Sequence, residues 1–216
     1  MNSSLIQLLV LAGIAVFLIL KLRSVLGTRE GFDKPPQAVE DIRPRPKFEV
    51  IDGGPDRDIS DNTADPASAA ALAAMKAAEP SFNVTDFLKG ARSAYEMILM
   101  AFDKGDLARI RPFLGDEVAS TFEAAIADRQ ERGLTIESTF AGIREMVLSE
   151  ATFDQVTRTA EVSVRFTGEL SRTIRDKSGA VVEGSPSAII RQRETWTFGR
   201  RMGTGDPNWQ LTATGD

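Results

Sequence analysis

The amino-acid sequence predicts an α+β domain at the carboxyl-terminal end of a chain that begins with a membrane anchor. Three observations lead to this prediction: an apolar run near the amino terminus, apolar residues at helical spacing from Phe87 to Phe102, and an apolar–polar alternation after Gly133. Spacings of three and four indicate an amphipathic helix, and alternation indicates a half-buried strand. We therefore expect an anchor (1–26), a disordered spacer that contains an Ala-rich helix (27–81) and an α+β domain (82–216).

The composition argues against most catalytic chemistries. The chain has no Cys and no His, which excludes disulfides, Cys-ligated metals and His-based catalytic triads. The formal net charge is -5, whereas nucleic-acid binding needs an excess of Lys and Arg. We expect a protein that is not an enzyme, with no cofactor, no metal and no nucleic-acid partner.

The apolar run Leu5–Leu22 contains only two polar residues, Gln7 and Lys21. As a helix it would be about 27 Å long, close to the roughly 30 Å of a bilayer core. A buried core helix and a signal peptide are the alternatives, but a signal peptide carries its positive charge before the apolar run. Here Lys21, Arg23 and Arg29 end or follow the run, which predicts a single-pass bacterial inner-membrane protein with its carboxyl-terminal domain in the cytoplasm.

The composition of the segment from 27 to 66 indicates a tether. Seven of the ten prolines lie between Pro35 and Pro80, and the stretch has no helical period. Such a composition is typical of extended, poorly ordered linkers.

One helix is expected inside this spacer. Ala67–Glu79 consists mostly of good helix formers, Asp65 is a suitable N-cap and Pro66 suits the first helical position. Leu72 and Met75 form one short apolar face. We expect a spacer helix, with weak docking to the membrane or to the domain as the alternative.

The domain opens with a long amphipathic helix. Thr85 is the expected N-cap, and Lys104–Asp106 ends the helix. Its apolar face consists of residues at spacings of three and four: Phe87, Leu88, Ala91, Tyr95, Ile98, Leu99 and Phe102.

Two further helices follow. Asp106 is expected to cap a short helix, Leu107–Leu114, and a third helix runs from about Asp116 to Arg132 with Gly133 as its stop. The inner face of the third helix holds Val118, Phe122, Ala125 and Ile126.

Strand patterns begin after this point. Ala160–Thr167 alternates strictly, Asp176–Gly179 is a turn, and other strands are expected near Ile143–Phe153, Ser187–Phe198 and Asn208–Ala213. Helices followed by an antiparallel meander make an α+β domain. A sheet of this kind curves around the long helix and encloses an apolar pocket.

The loop "GRRMGTGDPNW" raises the possibility of phosphate binding. It lacks the third glycine of a dinucleotide loop and the Lys of a P-loop, and a strand follows it instead of a helix. We interpret it as a hairpin connection in which Gly203, Gly205 and Asp206–Pro207 provide the turn. The roles of Arg200 and Arg201 stay open, with solvation the default.

The strands that flank this loop carry aromatic residues. Trp196 and Phe198 share one face, as do Trp209 and Leu211, and antiparallel pairing would bring them together. Glu194 lies on the face of Trp196, and a buried Glu there would be a candidate general base.

The segments "FLKGARSAYEMILMAFDKGDLARIRPFLGDEV" and "IRQRETWTFGRRMGTGDPNWQLTATG" resemble the Tim44-like domain family, which includes the mitochondrial inner-membrane import-motor adaptor. The likeness covers about 82–216. It implies a cone of helices against a curved antiparallel sheet, similar to the nuclear transport factor two superfamily. It also implies a large hydrophobic pocket, membrane association and an adaptor role.

The expected function is thus a membrane-tethered adaptor that binds a hydrophobic peptide, a lipid or a segment of a membrane or envelope protein. The expected process is membrane protein translocation or assembly. The alternative is a pocket enzyme of the ketosteroid-isomerase class that uses Glu194, an argument from fold analogy alone. The expected pocket residues are Phe87, Tyr95, Ile98, Leu99, Phe102, Phe122, Val164, Phe166, Glu194, Trp196, Phe198, Trp209 and Leu211.

Overall fold

A computed structural model of the chain describes residues 56–215. The predicted anchor Leu5–Leu22 and the tether up to residue 55 lie outside these residues. Within 56–215, no helix combines the length and the apolar character that crossing a membrane requires.

Helices occupy the first half of the described chain and strands the second. The helices are α1 (Arg57–Ser60), α2 (Pro66–Ala78), α3 (Val84–Lys104), α4 (Leu107–Ile110), a 3-10 turn (Arg111–Phe113) and α5 (Asp116–Glu131). The strands are β1 (Thr135–Asp154), β2 (Thr159–Arg175), β3 (Val181–Arg201) and β4 (Gln210–Gly215). They form one antiparallel sheet in the order β1-β2-β3-β4.

The α+β class and the antiparallel meander are therefore confirmed. The loop with Gly203 and Gly205 is a hairpin connection, and both glycines adopt positive φ. The strands β1 and β3 begin earlier than the alternation predicts. The first half of β3 is mostly exposed on both faces, so the sequence there carries no apolar–polar period. In the first half of β1 exposed and half-buried positions alternate, but Ser138 and Gly142 occupy half-buried positions, which weakens the apolar–polar period.

The long helix α3 packs on one face of the sheet, called here the inner face. On β2 this face carries Val162, Val164, Phe166 and Leu170, all fully buried. Tyr95 of α3 is also fully buried, and its ring stacks on Phe166 at 4.4 Å between centroids. This contact places the middle of α3 over the middle of the sheet.

The helix α2 belongs to the packed domain and is not a free spacer. Leu72 and Met75 are fully buried, and α2 lies against β1. The backbone amide of Ala151 in β1 donates to the buried hydroxyl of Ser68 at 3.1 Å. Because Ala side chains are small, this helix approaches the strand closely, and two large side chains suffice to anchor it. The folded unit thus begins before Phe82, the start expected from the sequence.

The amino-terminal end of α3 differs from the prediction. Asn83, not Thr85, is the N-cap, and its side chain accepts a hydrogen bond from the Asp86 amide at 2.8 Å. Thr85 lies within the first turn, where the carboxylate of Asp58 accepts from the amides of Val84 and Thr85. A residue distant in sequence therefore completes this helix end.

The other helix ends follow the sequence more closely. Asp65 caps α2 through the Ser68 amide, Gly105 ends α3 with φ 74° and Gly133 follows α5 with φ 67°. Asp106 precedes α4 as predicted, but its side chain makes no capping hydrogen bond.

Candidate functional site

A cleft of about 560 Å³ opens between the first half of α3 and the connection from β3 to β4. Its wall is predominantly apolar, and we call it the aromatic cleft. The apolar residues that line it are Phe82, Phe87, Ala91, Ala94, Met97, Ile98, Phe113, Phe198 and Trp209.

The aromatic rings of this wall support one another. The ring of Trp209 lies 4.7 Å from Phe87 and 5.8 Å from Phe82, between centroids. Phe87 also meets Phe198 edge to face at 5.9 Å. Such aromatic pairs add to the stability that burial provides, so contacts among the wall residues themselves hold the wall in place.

Arg200 secures one side of the cleft. Its guanidinium pairs with the carboxylate of Glu79 and lies 5.2 Å from the centre of the Trp209 ring. The Gly203 amide and, to a lesser extent, the Arg200 guanidinium lower the pKa of Glu79. With 7% of its side chain exposed, Arg200 is not the solvated residue that the sequence suggests, whereas Arg201 is exposed.

Gly90 leaves room in the cleft wall. A Cβ atom at this position would meet no atom within 4 Å, and the residue lies on the cleft side of α3. A methyl group therefore fits at this position without a clash, and a larger side chain placed here would extend into the cleft.

A second, smaller cavity of about 140 Å³ lies between α3, α5 and β3, and we call it the interior cavity. Its apolar lining consists of Ile98, Leu99, Phe102, Phe122 and Trp196, and its polar lining consists of Arg172, Gln192, Glu194 and Thr214.

Two polar atoms of this lining are buried without a partner among the described residues. One oxygen of Glu194 accepts a hydrogen bond from the Gln192 side chain, but Oε2 has no partner. The indole Nε1 of Trp196 has none either. Buried polar atoms without partners cost free energy, so they mark places where a ligand group or water gains binding energy.

Tyr95 lies next to this cavity but within the core. Its hydroxyl is buried without a hydrogen bond that meets ordinary geometry. Burial first, and the charge of Glu194 second, raise the pKa of Tyr95, so the hydroxyl stays protonated at neutral pH.

Arg172 in the cavity wall forms an ion pair with Asp103. The Asp103 carboxylate is buried and accepts from the Arg172 guanidinium at 3.0 Å and from the Ser138 hydroxyl at 2.6 Å. Arg172 therefore already has an ion-pair partner. The carboxylate of Glu194, which also lines the cavity, has no ion pair among residues 56–215.

The pocket residues expected from the sequence are divided among three places. The aromatic cleft takes Phe87, Ile98, Phe198 and Trp209, and the interior cavity takes Ile98, Leu99, Phe102, Phe122, Glu194 and Trp196. Four others, Tyr95, Val164, Phe166 and Leu211, are fully buried core residues that line neither space.

Several cleft residues were missed by sequence reasoning. Ala94 and Met97 continue the helical stripe from Phe87 and Ala91, so periodicity carried a signal for them. Phe82 and Phe113 lie outside the long helix, and only the tertiary fold brings them to the cleft.

Comparison with known proteins places the chain in a family. The model of the Tim44-like domain matches residues 68–216, which is more than half of the chain. No curated protein matches. Among solved structures, the intermembrane space region of chloroplast protein ARC6 has a TM-score of 0.40 and 14% sequence identity, over 59% of this chain and 94% of that one. On the family match, the chain belongs to the Tim44-like domain family.

Proposed function

We propose that this protein is a non-enzymatic adaptor, tethered at the cytoplasmic face of a bacterial inner membrane, whose aromatic cleft binds a hydrophobic segment of a partner protein. The proposal places it in membrane protein translocation or assembly. The observation that carries it is the open, apolar, aromatic-walled cleft of about 560 Å³. Membership in a family of membrane-associated adaptors and the apolar run Leu5–Leu22 support it.

The size and chemistry of the cleft suit this role. Ligand sites typically enclose a few hundred to about a thousand Å³ and are mostly apolar with a few polar groups. Here the polar groups, among them Glu79, Asp86 and Asn208, accompany an apolar wall. Each Leu- or Phe-sized side chain buried in such a wall contributes about 1.5–3 kcal/mol before the costs of ordering.

The enzyme alternative has weaker support. A base in a substrate pocket would need room for the substrate, but Glu194 lines the 140 Å³ interior cavity and not the larger aromatic cleft. The nearby Tyr95 hydroxyl would serve as a donor, yet Tyr95 lines neither space. We therefore favour binding over catalysis.

A cross-linking experiment tests the proposal in cells. A photo-reactive amino acid replaces Met97, a half-buried residue of the cleft wall, in the full-length chain. We expect cross-links to one or a few membrane proteins. The variant Gly90→Trp fills the cleft and should abolish these products, whereas Arg92→Trp, on an exposed position of the same helix outside the cleft, should leave them unchanged.

The outcomes separate the possible ligands. Protein cross-links that Gly90→Trp removes support the proposal. Cross-links to lipid alone would show that the cleft binds a lipid tail and not a segment of a partner protein. Products that persist equally in Gly90→Trp and Arg92→Trp would show that the cleft is not the binding site.

A further inference from the structure

One edge of the sheet is open along much of its length. The strand β4 pairs with β3 only from Thr195 to Gly199. No strand within residues 56–215 pairs with the outer edge of β3 from Val181 to Glu194. Backbone amide and carbonyl groups on an unpaired edge are a template for an additional strand.

The open edge of β3 is regular from Ile189 to Glu194, because the shifts in its register with β2 lie before Ile189, around Pro186. The edge strand β1 carries three irregularities in its register with β2, and α2 packs against it. On β3, by contrast, Ile189 and Ile190 are 57% and 42% exposed. Exposed apolar side chains on an open edge are features that proteins usually avoid unless the edge binds something.

The interior cavity lies beside Thr214, near the last described residue of β4. Thr214 of β4 lines the cavity and pairs with Trp196, and Gly215 pairs with Thr195. The next inner-face residues along β3 are Glu194 and Gln192, which also line the cavity. An added strand that follows the β3 edge would therefore run beside the cavity, and a residue opposite Gln192 would point to the same face.

The chemistry of the cavity selects the side chain that enters it. The rings of Phe102 and Phe122 lie 4.5 Å apart, and Trp196 is the third aromatic of the lining. Aromatic walls suit an alkyl stem and a cationic head. Glu194 offers the unpaired Oε2 as the acceptor for that head.

We propose that the outer edge of β3, from Ile189 to Glu194, binds an extended segment of another protein by strand addition, and that this segment places one Lys or Arg side chain in the interior cavity against Glu194. Main-chain hydrogen bonds to β3 supply affinity, and the cavity supplies selectivity. This site is distinct from the aromatic cleft and requires no ligand there.

The test uses the full-length chain in detergent and a fluorescein-labelled strand peptide, Thr-Val-Thr-Lys-Thr-Val-Thr, with its end groups blocked. Its matched control carries norleucine in place of the lysine. We expect the lysine peptide to bind about tenfold or more tightly than the norleucine peptide in fluorescence anisotropy, because a hydrogen bond to a charged group changes affinity by roughly this factor. A lysine peptide with N-methylated backbone amides should lose binding.

Variants of the protein assign the effect to the site. Glu194→Gln should reduce the affinity for the lysine peptide to that for the norleucine peptide, whereas Glu161→Gln, exposed on the outer face of β2, should not. Gly90→Trp, which fills the aromatic cleft, should leave peptide affinity unchanged and so separates this inference from the proposed function. Thermal unfolding confirms that each variant is folded.

Each of the following peptide results would overturn the inference: equal affinity for the lysine and norleucine peptides, no effect of Glu194→Gln in a folded variant, or no binding of either peptide at millimolar concentration. A dimer detected by light scattering that Ile190→Lys dissociates would also overturn it, because a second copy would then occupy the edge.

Discussion

At the scale of single residues, the centre of the domain depends on a close fit between Tyr95 and Gly168. Tyr95 is fully buried, stacks on Phe166 and lies 4.7 Å from Trp196 between ring centroids. A Cβ atom at Gly168 would lie 2.7 Å from the Tyr95 hydroxyl oxygen. Glycine at 168 is thus what permits tyrosine, rather than a shorter side chain, at position 95.

We predict that Gly168→Ala lowers the free energy of unfolding by about 1–3 kcal/mol, since overpacking forces the buried ring to move. Tyr95→Phe removes the clashing hydroxyl, so the double variant should be less destabilised than the sum of the single changes. Urea unfolding monitored by tryptophan fluorescence measures both effects.

Gly90→Ala is the matched control for this prediction. The new methyl group meets open space within a helix, so the unfolding free energy should rise by roughly 0.5–1 kcal/mol. Strict additivity of Gly168→Ala and Tyr95→Phe would refute the proposed contact.

At the scale of elements, a short helix positions the start of the long one. The carboxylate of Asp58 in α1 accepts from two amides at the start of α3 and pairs with Lys76 of α2 at 2.7 Å. Three helices are therefore joined by one side chain, at the helix end that favours negative charge.

This junction predicts an acid-dependent loss of stability. Burial acts to raise the pKa of Asp58, but hydrogen bonds from Lys76, Thr85 and the amides of α3 outweigh it and hold the pKa well below the ordinary 3.8. A depressed folded-state pKa stabilises the fold above the unfolded-state value, and this contribution is lost as the pH falls from about 3.8 towards the folded-state pKa.

We predict that Asp58→Asn lowers the unfolding free energy at pH 7 by about 1 kcal/mol, as for loss of a helix cap. At pH 3 the difference between Asp58→Asn and the unchanged chain should be smaller. Urea midpoints at the two pH values provide the measurement, with the exposed Asp61→Asn as control. A difference that does not change between pH 7 and pH 3 would contradict the linkage.

At the scale of the whole molecule, the folded unit includes the helices that precede the long helix as well as the sheet and the long helix itself. The buried side chains of α2, the Asp58 cap and the Glu79 pair with Arg200 all lie before Phe82 and contact the remainder of the domain. These contacts connect the amino-terminal helices to both the sheet and the cleft.

We predict that a chain starting at residue 82 is several kcal/mol less stable than one starting at residue 56, because loss of a single buried Leu or Met side chain already costs about 2–5 kcal/mol. Thermal and urea unfolding of the two chains, both ending at Asp216, measure the difference. Equal stability would show that α2 is dispensable.

The proposed membrane anchor, residues 1–26, makes a separate prediction for the full-length chain. The full-length chain should stay in the membrane fraction after carbonate extraction. Removal of residues 1–26 should release the protein into the soluble fraction. In spheroplasts, externally added protease should leave the domain intact. Release of the unchanged chain by carbonate, or digestion of the domain from outside, would contradict the anchor or its orientation.

The sequence by itself determined the fold class, the order of its elements and the family. Apolar residues at helical spacing around Tyr95 and the alternation around Val164 are local patterns, because each element must turn its own apolar side chains towards a common core. The positive-φ glycines 105, 133, 203 and 205 end elements or form turns for equally local reasons.

The tertiary structure alone decided what those side chains do. It buried Leu72 and Met75 although their helix resembles a spacer, paired Arg200 with Glu79, and divided one expected pocket into a cleft, a cavity and a core. The physical reason is that burial and ion pairing depend on partners distant in sequence. The apolar periodicity of an element predicts which of its faces turns inward. It does not predict which side chains of that face pack against other atoms and which line a cavity.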